Sequence, residues 1–247
     1  MEVIRDEQPE WLTNSYLVVD RERGKGILID ANGRTGELLE RADAEGIEVS
    51  YLLLTHEHWD HVLDAGALAA ERGLTVVAHP QAAPMLDFDV TPIEGGDEVE
   101  LDGFDVEALH TPGHSDVHLA FLVDGDDLFS GDVLFAGTVG GTMLPGKSGF
   151  DEMRSSVMDV LMKLDPATRV HPGHAGPTTI GEELEANPFV RVWRGLEPEG
   201  DESCEVADAG AATLVLWAPD YDGTNKAWVR FPDGTEGITG GSRVERS

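Results

Sequence analysis

The chain has 247 residues, 40% of them hydrophobic, and its 48 acidic against 17 basic side chains give a formal net charge of −31. That length buries a substantial core and fits one large domain or a domain with a small extension, while the charge repels nucleic acid and anionic membrane surfaces and argues against both as partners. Cys204 is the only cysteine, which excludes intrachain disulfides and zinc fingers; in Glu202-Ser203-Cys204-Glu205 the neighbouring carboxylates raise the thiol pKa and speak against a nucleophilic role. The N-terminus, Met1-Glu2-Val3-Ile4-Arg5-Asp6-Glu7, has no basic segment leading into an apolar one, and no run reaches the length of a membrane span, so the expected location is cytoplasmic.

In chain order, Ser15 to Asp20 and Gly26 to Asp30 read as strands around the turn-like Arg21 to Lys25. Asp30, just before Asn32-Gly33, either supports a metal site from behind its ligands or forms a turn. Thr35 to Ala44 carries Leu38, Leu39 and Ala42 at helical spacing, and Gly46 ends it. Tyr51 to Leu54 is a short apolar run without helical period, of which Leu52 to Leu54 reads as a buried strand. It ends in Thr55-His56-Glu57-His58-Trp59-Asp60-His61. Side chains two apart in extended chain share a face, so His56 and His58 can bind one cation while Asp60 and His61, as the chain turns, point toward another. Val62 to Arg72 reads as a helix stopped by Gly73, and Leu74 to Ala78 as a strand closed by His79-Pro80, with His79 structural or pocket-lining.

Asp97 to Leu101 and Phe104 to Leu109 alternate as strands around Asp102-Gly103. A second ligand group, His110-Thr111-Pro112-Gly113-His114-Ser115, again closes a strand, and its Pro-Gly turn presents His114 inward. His110 and His118 fall within strand-like patterns and read as packed side chains. Phe121 to Val123 and Leu128 to Ser130 form a hairpin around Asp124-Gly125-Asp126-Asp127 that runs into Gly131-Asp132, the third candidate. Gly137 to Gly149 is a glycine-rich loop bordering a pocket, without a phosphate-cradle signature. Ser148 to Leu164 reads as a helix capped by Ser148, with Met153, Val157, Val160, Leu161 and Leu164 packing on a sheet. Thr168 to Val170 leads into His171-Pro172-Gly173-His174, the fourth ligand group. Glu182 to Ala186 forms a short helix, the acidic Glu197 to Glu205 a boundary, and Ala212 to Trp217 and Lys226 to Phe231 strands with turns at Asp222-Gly223 and Asp233-Gly234.

His56-x-His58-x-Asp60-His61, His114, Asp132 and His174, in that order and each closing a strand-like run, resemble the metallo-β-lactamase superfamily of binuclear hydrolases. The resemblance covers roughly Tyr16 to Trp193. Thr111-Pro112-Gly113-His114-Ser115, Ser130-Gly131-Asp132-Val133-Leu134-Phe135, Pro172-Gly173-His174 and Glu185-Ala186-Asn187-Pro188-Phe189 look most like its glyoxalase II branch. It implies that His56, His58 and His114 hold one metal, Asp60, His61 and His174 the other, and that Asp132 bridges them. Four ligand groups that each follow an apolar strand point to an α/β protein, an αββα sandwich of two mixed sheets with the site on strand-end loops at one edge. Residues 1–196 are expected to form the catalytic domain and 197–247 an acidic linker with a small β extension. The extension offers no histidine; it caps the pocket, makes a subunit contact through Trp217, Trp228 and Phe231, or uses those aromatics in its own core.

Seven ligands are too many for one tetrahedral centre, so two divalent metals are expected, zinc foremost, with iron or manganese also suited to imidazole and carboxylate. Two cations about 3.5 to 4 Å apart hold a bridging water as hydroxide near neutral pH; Asp60 would orient it as the catalytic residue. A thiolate is a weak base, so a thioester needs no dedicated general acid to leave. Hydrolysis of a thioester of a small acidic thiol, or of a related ester, is therefore the leading reading. Its rivals are a persulfide dioxygenase with one iron on His56, His114 and Asp132, and a non-enzymatic metal-dependent binding protein. Members that cleave glutathione thioesters carry a Gly-Arg pair and a helical C-terminal domain; here the corresponding stretch is Val139-Gly140-Gly141-Thr142 and the tail reads as β, which argues against glutathione as the carrier. Lys147 offers a positive charge there or is an ordinary solvated lysine. The acid spread along the chain resembles haloarchaeal cytosolic proteins. A small-molecule substrate is expected, and a homo-oligomer remains open.

Overall fold

The computed structural model describes residues 1–143 and 149–246. The chain forms two compact units, one of Met1–His110, Val117–Gly131 and Gly173–Ala175, the other of Thr111–Asp116, Asp132–Pro172 and Gly176–Ser247.

Unit one begins with β1 (Glu2–Glu7), a strand the sequence pattern does not announce, paired antiparallel with β2 (Asn14–Asp20), which pairs antiparallel with β3 (Lys25–Ile29). Helix α1 (Thr35–Glu45) ends at Gly46, whose φ of 71° is the left-handed cap that glycine adopts without strain. Next come β4 (Glu48–Leu53), α2 (Trp59–Val62), α3 (Ala65–Arg72), β5 (Thr75–Ala78) and β6 (Thr91–Pro92), with β3 to β6 parallel. The single helix expected over Val62 to Arg72 is broken at Leu63-Asp64. Asp64 turns its carboxylate back to accept from the Gly33 N–H at 3.0 Å and the Thr35 hydroxyl at 3.2 Å.

Alternation along these strands sorts the core into two layers. Leu17, Leu28, Leu52 and Val76 face Leu38, Leu39 and Ala42 of α1 and Leu68 of α3. Val18, Ile27, Leu53 and Val77 face the other way, onto Phe104, Val106, Phe121 and Phe129. Those partners lie in β7 (Glu98–Leu101), β8 (Phe104–His110), β9 (Leu119–Val123) and β10 (Asp127–Gly131), successive antiparallel strands of the second sheet. Each fully buried phenylalanine contributes about 1.5 to 3 kcal/mol of transfer free energy. Unit one is thus helix on sheet on sheet.

The first strands of unit two are the hairpin β11 (Leu134–Phe135) and β12 (Thr138–Val139). Helix α4 (Phe150–Ser155) widens into a π turn over Ser156–Val160 and tightens into a 3-10 turn at Leu161–Lys163, so the helix expected to reach Leu164 changes pitch twice. Met153, Val157 and Leu161 are fully buried along it. The expected cap Ser148, and Lys147, lie outside the described residues. Strands β13 (Arg169–Pro172) and β14 (Thr178–Thr179) pair, then α5 (Ile180–Ala186) runs into α6 (Pro188–Trp193), an unanticipated helix whose N-cap Asn187 accepts from the Phe189 and Val190 amides.

The tail is a five-stranded antiparallel sheet of β15 (Glu202–Val206), β16 (Gly210–Pro219), β17 (Asn225–Arg230), β18 (Glu236–Gly240) and β19 (Val244–Arg246) in the order β18-β17-β16-β15-β19. β15 starts inside the acidic stretch read as a boundary. Trp217 and Phe231 pack on its small core of Cys204, Val206, Leu214, Ala227 and Val229, whereas Trp228 stacks on Phe150 of α4 with ring centroids 4.9 Å apart. Burial, more than the Glu202 charge, pushes the Cys204 thiol pKa up. Among the described residues no helix is long and apolar enough to cross a membrane.

Candidate metal centre

Each ligand group sits where buried strand gives way to loop, and the loop is fixed by hydrogen bonds that also fix the ligand rings. In unit one, Asp30, 2% exposed and with φ of 57°, follows β3. Its carboxylate accepts from the Thr55 amide at 2.7 Å, the Thr55 hydroxyl at 2.8 Å and His61 Nδ1 at 2.8 Å. Of the two roles open to it in the sequence, the structure shows both: its backbone turns at a left-handed φ and its carboxylate supports Thr55 and His61. The Thr55 hydroxyl spends its proton on Asp30 and so accepts from His56 Nδ1, 3.0 Å away. His61 and His56 thereby both carry their proton on Nδ1 and present a Nε2 lone pair.

His56 Nε2 faces His58 Nδ1 at 3.0 Å. Asp60 Oδ2 lies 3.7 Å from His61 Nε2 and 3.7 Å from His174 Nε2, and one ligand atom from each of Asp60, His61 and His174 falls within 4.8 Å of the others. His174 is brought there by backbone pairing with Thr13 and by the Asn14 amide donating to the Gly173 carbonyl at 2.7 Å; the Asn14 side chain donates to the Ala175 carbonyl at 2.8 Å. Its Nδ1 donates to the Leu12 carbonyl at 3.0 Å. Thr13, which nothing in the sequence marks, donates its hydroxyl to Asp60 Oδ2 at 2.7 Å.

Unit two holds the other two candidates. His114 Nδ1 donates to the Gly141 carbonyl at 2.9 Å, and its Nε2 lies 3.4 Å from Asp132 Oδ2. The Gly141 loop is held by a reciprocal pair, the Thr142 amide to the Ile238 carbonyl at 2.8 Å and the Ile238 amide to Thr142 Oγ1 at 2.9 Å. A Cβ on Gly140 would sit 1.8 Å from the Asp132 carbonyl oxygen, so only glycine fits there.

These donors fit a metal. Two atoms bound to one tetrahedral cation at about 2.0 to 2.1 Å lie about 3.3 Å apart, close to the separations from 3.0 to 3.7 Å seen here. Ligating histidines characteristically donate the other ring nitrogen to a carboxylate or carbonyl, as His61, His114 and His174 do. Of the two histidines read as packed, His118 is fully buried with its ring 5.2 Å from that of His56, whereas His110 is exposed and its ring stacks on that of the half-buried His79 at 5.2 Å; His171 is buried. Partial burial and, after it, the His110 charge lower the His79 pKa.

A scan for known families matches residues 9–174 to the metallo-beta-lactamase superfamily, and the chain belongs to that superfamily. Its fold class is accordingly the four-layer αββα sandwich, with additional C-terminal strands. The crystal structure of ETHE1 from Myxococcus xanthus is similar at a TM-score of 0.70 and 28% identity, over 80% of this chain and 92% of that one. TTHA1623 in a di-iron-bound form is similar at a TM-score of 0.65 and 37% identity, over 75% and 99%. The hydroxyacylglutathione hydrolase GloC of Haemophilus influenzae is 31% identical over 198 residues, 72% of this chain and 92% of GloC. Fold and His/Asp cluster together mark a metal-dependent hydrolase of this superfamily.

Proposed function

We propose that the chain is a binuclear hydrolase that cleaves a thioester of a small acidic thiol, or a related ester, in the cytoplasm. The observation that supports this is the convergence of Asp60, His61 and His174 as a second donor set; two histidines and an aspartate alone would serve a one-iron site. Following the family's pattern, we assign His56, His58 and His114 to one cation, Asp60, His61 and His174 to the other, and Asp132 to both. Zinc, iron and manganese all suit these ligands. The di-iron form of TTHA1623 and the name of GloC as a hydroxyacylglutathione hydrolase, each of that protein alone, are in keeping with a two-metal hydrolase, though not with the carrier favoured below.

When bound, the cations supply a water nucleophile at neutral pH and positive charge for the attacked carbonyl. The chain's own residues do the rest. Thr13 holds the Asp60 carboxylate in one orientation through its 2.7 Å bond, and Asp60 orients the attacking water. Asp30 and Thr55 hold His61 and His56 in the ligating tautomer. The departing thiolate needs no proton donor. Where glutathione-cleaving members carry an arginine, this chain has Val139 to Thr142, with Thr142 tied to Ile238 of β18, so the thiol carrier we favour is not glutathione.

The test is an anaerobic assay of S-lactoyl thioesters beside oxygen uptake with a persulfide, on wild type and His58→Ala. Thiol release without oxygen, lost in the variant, is the expected result, together with two metals per chain by elemental analysis. Oxygen consumption without thioester cleavage would replace hydrolysis by the dioxygenase reading.

A further inference from the structure

We propose that the C-terminal sheet forms an anion-recognising wall of the substrate site, with Lys226 binding a carboxylate of the substrate; this takes the hydrolase reading as its frame. A cavity of about 210 Å³ in unit two is lined by His114 and Asp132 together with Tyr221, Lys226, Thr239 and Arg243. The last four lie beyond residue 174, where the family match ends. Lys226 is 7% exposed on β17, between Ala227 on one side and Asn225 on the other. Its ammonium sits 2.9 Å from Asp220 Oδ2, 5.5 Å from the Tyr221 ring centroid and 6.0 Å from that of Phe135.

Three observations converge on an anion. A buried ammonium is costly even when paired, and an apolar side chain would fill a plain core position more cheaply. The chain has 17 basic residues against 48 acidic ones, yet among the described lining residues two are cations and Asp132, a ligand candidate, is the only carboxylate. An ammonium has three donors, and the ion pair with Asp220 uses one. Arg243 donates to the Ala207 carbonyl at 3.1 Å, 3.8 Å from Asp208, so it adds positive potential more than a contact.

At roughly 30 Å³ per water-sized group, the cavity has room for a short chain ending in a carboxylate and flanked by aromatic faces. The Thr142–Ile238 bonds connect this wall to the carbonyl that orients His114. The carboxylate belongs either to the acyl group or to the thiol.

Full-length, metal-loaded protein is assayed with three thioesters: S-butyryl-N-acetylcysteamine, neutral; S-succinyl-N-acetylcysteamine, charged on the acyl side; and S-butyryl-3-mercaptopropionate, charged on the thiol side. We expect one charged thioester to show a KM lower than the neutral one by about tenfold or more, the scale of one charged hydrogen bond. That ratio should fall close to one in Lys226→Met and in Asp220→Asn/Lys226→Gln, where the double variant leaves no unpaired buried charge, and should return in part in Lys226→Arg. Calorimetry without turnover compares succinate with butyrate, either of which can reach the metals through one carboxylate. The extra affinity of succinate should vanish in the double variant. A KM ratio near one in the wild type, or one that survives in a double variant with an unchanged melting curve, overturns the proposal. Lys226-dependent succinate binding without hydrolysis of any thioester would uphold the wall and sink the hydrolase reading instead.

Discussion

Replacing Asp30 by asparagine isolates one atom's role at the metal centre. Asparagine tolerates the left-handed φ of 57° almost as well as aspartate, so the backbone need not move, and the side chain keeps its size. What changes is that one carboxylate oxygen becomes an NH2 group. If the remaining oxygen keeps the Thr55 amide at 2.7 Å, the new NH2 faces His61 Nδ1 and the Thr55 hydroxyl, both donors at 2.8 Å. His61 can relieve the clash only by moving its proton to Nε2, the nitrogen that faces Asp60 at 3.7 Å. Three charge-assisted bonds become neutral ones or are lost. At about 1.5 to 3 kcal/mol for a bond to a charged group against about 1 for a neutral one, the metal-free protein should lose about 1.5 to 6 kcal/mol. Metal affinity should fall about 10- to 100-fold, the usual scale for a partner behind a ligand. Urea unfolding in chelator reads the first quantity and competition with a chromophoric chelator the second. A variant that is destabilised but binds metal as tightly as wild type would refute the tautomer argument, and one unchanged in both would refute the role of Asp30 altogether.

Two further outcomes are expected. Glu183, 3% exposed, accepts from the Gly137 amide and Asn187 at 2.9 and 2.8 Å, and burial raises its pKa above the ordinary value. A carboxyl with a folded pKa above its unfolded one contributes stability that is fully present below the unfolded pKa and lost as pH rises through the folded pKa. Glu183→Gln should therefore flatten the fall in melting temperature from about pH 4.5 upward; an equally steep fall in the variant would contradict this. The melting temperature of the wild type should rise between about 0.1 and 2 M KCl, as the Debye length shortens from about 10 Å to under 3 Å. Exposed pairs such as Arg21 with Glu2 and Glu45 are weakened too, but 48 acids against 17 bases make repulsion the larger quantity. A steady fall with salt would count against a halophilic adaptation.

What the sequence reveals is what local chemistry dictates. β3 and the end of β4 are legible because Ile27 to Ile29 and Leu52 to Leu53 are buried on both faces and read as apolar runs, and the ligand groups because they stand where such runs stop. β1 is hidden because Glu2-Val3-Ile4-Arg5-Asp6-Glu7 is mostly charged and becomes a strand only by pairing with β2. The break between α2 and α3 depends on Asp64 reaching Gly33 and Thr35, some thirty residues away, and the π turn after Ser155 has no local signal. Thr13 is an ordinary threonine until the fold sets it against Asp60. β18 is masked by its glycines in Glu236-Gly237-Ile238-Thr239-Gly240, since glycine weakens a strand pattern read alone.

The tie between Thr13, Asp60 and His174 also sets an order of events in the cell. Asp60 and His174 are 114 positions apart, and at about 5 to 20 residues per second of synthesis the first waits roughly 6 to 23 seconds for the second to be made. Through that interval the nascent chain displays His56, His58, Asp60 and His61 with no means of completing the Asp60, His61 and His174 set. On the proposed assignment, a full metal complement would be acquired only after translation has passed Ala175, when Asn14 can bond the late segment into place. On that assignment, the metals available to the finished chain, more than the supply during its synthesis, would decide which ones it keeps.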